Sequence, residues 1–261
     1  MGRFDWLETE VAKTQKPAEE KERFDANHYI QEAERFYREG AYESALKFYS
    51  KALGENSELV DAWDGQVRCL IDLDELKEAR LWVNKALEKF PESAEIISAK
   101  SVILAKMFEL NEALVLSNKA IAKKNPSKHI WLDRGFILLC HNDEENAGHC
   151  FSKVLDGNPQ DAFFNLRIGI CYLDGKKFSK AKPYLDKSSE VSPENPLALY
   201  KLGQCYQGLD FLSKSEWCYE KALALKPEFK NEIEAALNKI KGTGIFTRLF
   251  SWIRRIWQDT I

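Results

Sequence analysis

The sequence has little of what would mark a secreted, membrane-spanning or nucleic-acid-binding protein. None of its apolar runs approaches the ~20 residues that a membrane-spanning helix needs. The start, MGRFDWLETE, carries acids and has no apolar core of signal-peptide length, which predicts against secretion. A net charge of −3 excludes a chain-wide basic surface for nucleic acid. Six scattered cysteines in a 261-residue chain are more typical of a reducing cytoplasm than of a disulfide framework.

Glycine and proline are also scarce, at 13 and 8 positions, while 44% of the residues are hydrophobic. This composition favours helices with ample apolar surface to bury. The scarce residues recur at a fixed spacing. Gly203, Gly169 and Gly135 are 34 residues apart, and the same step relates Ala181 to Ala147.

This spacing resembles the tetratricopeptide repeat, with a large residue, Leu-Gly, an aromatic, a small residue and a final proline at set places. The stretch 199–227, LYKLGQCYQGLDFLSKSEWCYEKALALKP, carries the pattern most fully. We predict six copies, at residues 26–59, 60–93, 94–127, 128–161, 162–195 and 196–229.

The resemblance implies an all-α fold in which each copy is a helical hairpin. Small residues at the eighth and twentieth places let the two helices approach closely, and proline at the thirty-second place ends the second helix. One hairpin cannot bury its apolar face, so the copies are expected to stack into a right-handed superhelix with a concave groove. Residues 230–241 continue the pattern as a capping helix, and residues 1–25 are expected to form a tether or short helix.

No motif predicts an enzyme, and no cofactor site is expected. Cys140, His141, His149 and Cys150 are the best metal candidates, but adjacent residues on a helix point in different directions. We therefore predict no metal site. The other cysteines are expected to act as small buried hydrophobic residues.

The family resemblance implies that the second, fifth, ninth, twelfth and thirteenth places line the inner groove. In the last three copies these places are mostly apolar, which predicts a partner-binding groove because exposed apolar patches of this size usually mark interaction sites. The alternative is that a tight superhelix buries the same residues. The predicted groove residues are Leu132, Phe136, Leu139, Phe163, Leu166, Ile170, Leu173, Leu197 and Tyr200.

Beyond the glycines at 242 and 244, residues 245–261 form a basic amphipathic segment. Its apolar face is too large for water, so a membrane surface, a groove or packing against the last copies must cover it. We hypothesise that it docks in the groove of its own chain or of a second copy. The main apolar residues are Phe246, Leu249, Phe250, Trp252, Ile253, Ile256 and Trp257.

Together these features predict a non-catalytic cytoplasmic scaffold that binds an apolar helical or extended peptide of a protein partner. The alternative function is a peripheral membrane-associated assembly factor anchored by its C-terminal helix. Neither function requires nucleic acid.

Overall fold

The computed structural model describes residues 25–242 together with Leu7, and all regular structure in this part of the chain is α-helical. Of the predicted tether, only Leu7 and Asp25 are described, and Leu7 is buried in the main hydrophobic core. The helices are α1 (Ala26–Glu39), α2 (Tyr42–Glu55), α3 (Val60–Asp72), α4 (Leu76–Lys89), α5 (Ala94–Lys106), α6 (Leu110–Ile121), α7 (Lys128–Cys140), α8 (Glu144–Leu155), α9 (Ala162–Asp174), α10 (Phe178–Val191), α11 (Pro196–Gly208), α12 (Leu212–Ala224) and α13 (230–242).

Consecutive helices from α1 to α12 pack as hairpins, and the hairpins stack in chain order. The first helices of the hairpins begin at residues 26, 60, 94, 128, 162 and 196, a constant step of 34. These inner helices (α1, α3, α5, α7, α9 and α11) also contact one another in sequence. The predicted all-helical repeat superhelix is confirmed.

The turn inside each hairpin shares one backbone feature that the repeat pattern did not predict. In each hairpin, the residue two positions before the start of the second helix has a positive φ, between 55° and 83°. Such values reverse the chain within a few residues. The six residues are Gly40, Asp74, Phe108, Asn142, Lys176 and Asp210. Nothing in the structure explains why a phenylalanine, 89% exposed, occupies the third turn.

Close approach within each hairpin depends on the predicted small residues. An added Cβ at Gly135 would lie 2.3 Å from the Phe151 ring, and one at Gly203 would lie 2.5 Å from Tyr219. In both cases the glycine of the inner helix leaves room for a large side chain of the outer helix. Both of those ring side chains are fully buried, so the glycines set the helix spacing.

We predict opposite effects for two glycine substitutions in the fourth hairpin. Gly135→Ala should destabilise the fold by about 1–3 kcal/mol because Phe151 has no space to move into. Gly148→Ala should stabilise it by roughly 0.5–1 kcal/mol, since its Cβ would meet nothing within 4 Å and alanine favours helix. Urea denaturation of both variants measures this. A neutral effect at position 135 would contradict the close packing.

The helix α13 covers the open side of the last hairpin. Its apolar residues Ile233, Leu237 and Ile240 are buried against Leu199 and Tyr219, while the polar residues between them face solvent. The capping role expected of residues 230–241 stays a prediction. The predicted amphipathic segment 245–261 lies outside the described residues.

Candidate functional site

The predicted apolar groove is mostly filled by the protein itself. Five of its nine residues are buried, with exposed fractions of 9% or less: Leu132, Phe136, Leu139, Leu166 and Leu197. The other four, Phe163, Ile170, Leu173 and Tyr200, are half-buried and pack against the core. The expectation of an open apolar groove is therefore wrong for Leu132, Phe136, Leu139 and Leu166, whereas Leu197, although buried, borders the cavity described below. The superhelix is tight enough for inner helices of distant copies to cover one another.

A buried charge cluster joins three inner helices across the superhelix. The Arg68 guanidinium of α3 donates to Asp133 of α7 at 2.9 and 3.1 Å, and to Asp64 at 2.7 Å. The Ser98 hydroxyl of α5 donates to the same Asp133 carboxylate at 2.7 Å. Burial alone would lower the pKa of Arg68, but the two carboxylates hold it well above its usual value. The guanidinium therefore stays charged and fixes the curvature of the second to fourth hairpins.

A second, partly buried pair connects copies that are farther apart in sequence. Arg167 of α9 donates to Asp72 of α3 at 2.9 Å, and the Tyr37 hydroxyl of α1 donates to the same carboxylate oxygen at 2.5 Å. Lys106 and Asp174 form an ion pair at 3.5 Å nearby. Charged inner residues of the second and third copies are thus paired with charges from the fourth and fifth copies.

The first and last hairpins also touch, so the inner helices close into a ring. The side-chain amide of Asn195 donates to the backbone carbonyl of Arg38 at 2.9 Å, and Ser44 hydrogen-bonds to Glu228. Gly40 lies at this junction with φ +83°, and an added Cβ would lie 3.0 Å from the ring of Phe229. Glycine is therefore required here both for its backbone conformation and for the close approach.

One part of the inner surface stays open, next to this junction. A cavity of about 680 Å³ lies between the first, second, fifth and sixth hairpins and the start of α13. Its wall combines aliphatic and aromatic side chains, including Tyr200 and Phe229, with an excess of carboxylates over ammonium groups. The acidic residues are Glu43, Asp72, Asp74, Asp174, Glu228 and Glu232, and the basic residues are Lys106 and Lys201.

The charges of this cavity are unevenly neutralised. Asp72 and Asp174 have cationic partners in Arg167 and Lys106. Burial lowers the pKa of Lys201, while the nearby Asp174 and Asp72 carboxylates act in the opposite direction. The cavity therefore presents a negative potential beside two aromatic rings, an environment suited to a cationic group.

A smaller cavity of about 230 Å³ lies farther along the inner surface and contains His129 in its wall. The His129 ring contacts the rings of Phe163 and Phe164. Burial, together with nearby arginines, lowers the pKa of His129 well below its usual value. Folding therefore disfavours the protonated imidazole.

We predict that stability decreases as the pH falls below about 6.5, the pKa of histidine in an unfolded chain. Below that pH the unfolded state binds a proton that His129 in the folded state does not, which gives a slope of up to about 1.4 kcal/mol per pH unit. His129→Gln should reduce this slope, and His149→Gln, at an exposed histidine, is the control. Urea unfolding between about pH 8 and about pH 5 measures it; equal slopes in all three proteins would contradict the prediction.

The cysteine and histidine candidates for a metal site have separate surroundings. The His141 ring nitrogen lies 3.0 Å from the Leu110 carbonyl, the His149 ring packs edge-on against Trp131, and Cys150 is buried. In the described part of the chain, no group of three or more His, Cys, Asp or Glu side chains is arranged to hold a metal. Cys69, Cys171 and Cys205 are buried, as predicted, and burial raises the pKa of the Cys205 thiol to about 11.

Comparison with known families agrees with this architecture. A family model described as tetratricopeptide repeat matches residues 36–103, and a second model with the same description matches residues 197–229. The chain is a tetratricopeptide-repeat protein. Repeats of this family are generally non-catalytic and form scaffolds for protein–protein interaction. No helix within residues 25–242 is long and apolar enough to cross a membrane.

The similar proteins give the fold but little more. The BBSome complex member BBS4 homolog of Drosophila melanogaster is 31% identical over 126 residues, which are 48% of this chain and 26% of that protein. The chain spans about a quarter of the length of the first curated relatives that it matches.

Two solved structures share the fold at low sequence identity. A tetratricopeptide-repeat protein from Parabacteroides merdae has a TM-score of 0.57 at 16% identity, over 90% of this chain and 91% of that one. A monomeric mutant of IFIT1 with Gppp-AAAA has a TM-score of 0.61 at 16% identity, over 87% of this chain and 56% of that one. Identities this low carry no information on ligands.

Proposed function

We propose that this protein is a non-catalytic scaffold that holds a short segment of a protein partner at the acidic cavity between its first and last hairpins. The observation that carries the proposal is the cavity itself, because the neighbouring inner surface is filled by paired charges and apolar side chains. Its volume of about 680 Å³ lies within the range of about 300–1,000 Å³ typical of ligand pockets. The scaffold comprises six repeats over residues 26–229 and the capping helix.

The chemistry of the cavity favours a segment with a lysine or arginine next to an apolar residue. A cationic head group would meet the carboxylates of Asp74 and Glu232, and its aliphatic stem would lie against the rings of Tyr200 and Phe229. The purely apolar peptide predicted from the sequence would leave these carboxylates without partners. We therefore replace the apolar ligand by a basic one.

The same electrostatics argue against a nucleic-acid ligand. The IFIT1 structure contains Gppp-AAAA, whose phosphates require a positive site. In this protein, the phosphates of such a ligand in the acidic cavity would face an excess of carboxylates. The Drosophila relative is named as a member of a multiprotein complex, and assembly with other proteins is the part of that description we extend to this chain.

A peptide array tests the proposal before any partner has been identified. Each member carries a central Trp, Phe or Leu flanked on both sides by Lys, Asp or Ser, and the full chain is the probe. We expect the Lys-flanked members to bind, and Asp74→Lys with Glu232→Lys to abolish their binding. Lys176 already occupies the turn position equivalent to Asp74 with φ 55°, so the fold should tolerate lysine there. Lys-flanked binding that persists in the double variant would refute the cavity as the site.

A second candidate function, peripheral membrane association, depends on the amphipathic residues 245–257. The sequence favours it because helical spacing would put Arg248, Arg254 and Arg255 on the side opposite the aromatic residues. Flotation with anionic vesicles tests it: Leu249→Glu with Ile256→Glu should abolish flotation, and Thr247→Glu on the polar face should have a smaller effect. Equal flotation of the first variant and the unmodified protein would eliminate this candidate.

A further inference from the structure

The last hairpin carries an apolar groove that is separate from the inner cavity. The groove has a volume of about 350 Å³ and is lined by Leu202, Tyr206, Ser213, Lys214 and Trp217. Leu202 and Tyr206 come from the inner helix α11, and the other three come from the outer helix α12. The volume is close to the lower limit of ligand pockets and suits one or two inserted side chains.

Aromatic residues make this groove an unusual part of the surface. Trp217 is 53% exposed and the adjacent Phe211 is 48% exposed. The Phe211 and Tyr206 rings are in contact, with centroids 6.2 Å apart. The Tyr206 hydroxyl donates to Asp186 of α10 at 3.1 Å, which fixes the orientation of the ring. Rigid, exposed aromatic side chains around a concavity are typical of residues that anchor a binding partner.

Two lysines at the groove have no carboxylate partner among the described residues. The Lys214 ammonium lies 5.5 Å from the centre of the Tyr206 ring, and the Lys221 ammonium lies 4.5 Å from the centre of the Trp217 ring. Within residues 25–242, neither ammonium is within salt-bridge distance of a carboxylate. Lys182, the third lysine near Tyr206, is already paired with Asp186 at 2.5 Å.

These charges select between the candidate occupants of the groove. The chain's own segment 245–257 carries three arginines and no acid, so the lysines would repel it. A membrane surface is anionic but flat, whereas the apolar contact area here is recessed between helices. A peptide with an apolar side chain and neighbouring carboxylates matches both the recess and the two free ammonium groups.

We propose that this groove is a second protein-binding site, which takes an acidic segment of a partner with one large apolar or aromatic side chain inserted between Tyr206 and Trp217. Carboxylates flanking that side chain pair with Lys214 and Lys221. Because the rim of this site is basic and the wall of the inner cavity is acidic, the two sites bind segments of opposite charge. The proposal does not depend on the inner cavity being a binding site.

The array described above tests this site through its Asp-flanked members, again with the full chain. We expect Asp-flanked members with a central Trp, Phe or Leu to bind, and we expect their affinity in solution to fall at least about tenfold with Trp217→Ala. Lys214→Glu with Lys221→Glu should cause a similar loss, and raising the salt concentration should weaken binding to the unmodified protein. Leu81→Ala is the matched control, since Leu81 occupies the position equivalent to Trp217 in the second hairpin and is 50% exposed.

Several outcomes would overturn the proposal. Failure of all Asp-flanked members to bind would do so, as would binding that is unaffected by Trp217→Ala. If Lys-flanked members bind more strongly than Asp-flanked members and their binding depends on Trp217, the groove binds a basic segment instead of an acidic one. Anionic vesicles that bind through Trp217, without any Asp-flanked peptide binding, would identify the groove as a lipid contact instead. Failure of the inner-cavity proposal is distinguishable, because that site is tested by different peptides and different variants.

Discussion

Arg68→Ala is expected to destabilise the protein by about 3–5 kcal/mol, since it leaves buried carboxylates without their cation. Arg68 is 6% exposed and makes hydrogen bonds to both Asp64 and Asp133. One oxygen of Asp64 is already buried without a hydrogen-bond partner, and burial raises the pKa of that carboxyl. Loss of the guanidinium would worsen an environment that already disfavours negative charge. Urea denaturation at neutral pH measures the change.

Two further variants control for this interpretation. Arg80→Ala removes an exposed arginine whose ion pair with Glu109 is 2.9 Å long, and should cost at most about 1 kcal/mol. Adding Asp133→Leu to Arg68→Ala should recover part of the lost stability, because the unpaired carboxylate is then removed as well. A cost for Arg68→Ala as small as that for Arg80→Ala would show that the inner charge cluster is solvated and that the superhelix is more open than described.

Leu166→Ala is expected to cost about 2–5 kcal/mol, the range for deletion of a buried leucine side chain. Leu166 is one of the residues that the sequence placed in an open groove, and the structure buries it to 1% exposure. The substitution therefore discriminates directly between the two descriptions of the inner surface. Val115→Ala, at a side chain that is 64% exposed, should change stability by no more than about 0.5 kcal/mol. If both substitutions lower the free energy of unfolding by equally small amounts, the inner surface is an open groove after all.

The helical hairpins could be predicted from the sequence because their packing depends on contacts within one repeat. Gly135 and Phe151, for example, meet inside a single hairpin, and the period of 34 repeats that contact as Gly169–Leu185 and Gly203–Tyr219. A small residue on the inner helix and a large residue at the matching place on the outer helix are enough to indicate this contact. The same applies to α13, whose buried residues continue the spacing of the preceding inner helices.

The filling of the inner surface could not be predicted in the same way, because it depends on how tightly the superhelix curves. Arg68 and Asp133 are 65 residues apart, and Asp72 and Arg167 are 95 apart. Curvature is the sum of small rotations between many copies, and no single copy encodes it. One signal was present in the sequence. Asp133, Arg167 and Lys201 occupy the sixth place of consecutive copies, where the second and third copies have glycine and alanine. Charged residues at an inner position need partners of opposite charge, and these lie on inner helices across the superhelix.

Three residues of the predicted groove have a different outcome from the others. Ile170, Leu197 and Tyr200 line the acidic cavity, so the sequence located part of the proposed site, although it predicted an apolar surface there. The groove residues were selected for apolar character alone, and the carboxylates contributed by the first hairpins and by α13 were not weighed with them. The carboxylates of the first two hairpins come from the other end of the chain and reach the cavity only because the ring closes.

Partner binding at the acidic cavity is tested most sharply by the affinity of a Lys-flanked peptide in solution. The best Lys-flanked member of the array is titrated against the unmodified protein, the Asp74→Lys and Glu232→Lys double variant, and Glu88→Lys, which reverses the charge of an acid on the outer helix α4. We expect at least about a tenfold loss of affinity for the double variant and little change for Glu88→Lys. Equal affinities for all three proteins would contradict binding at this cavity.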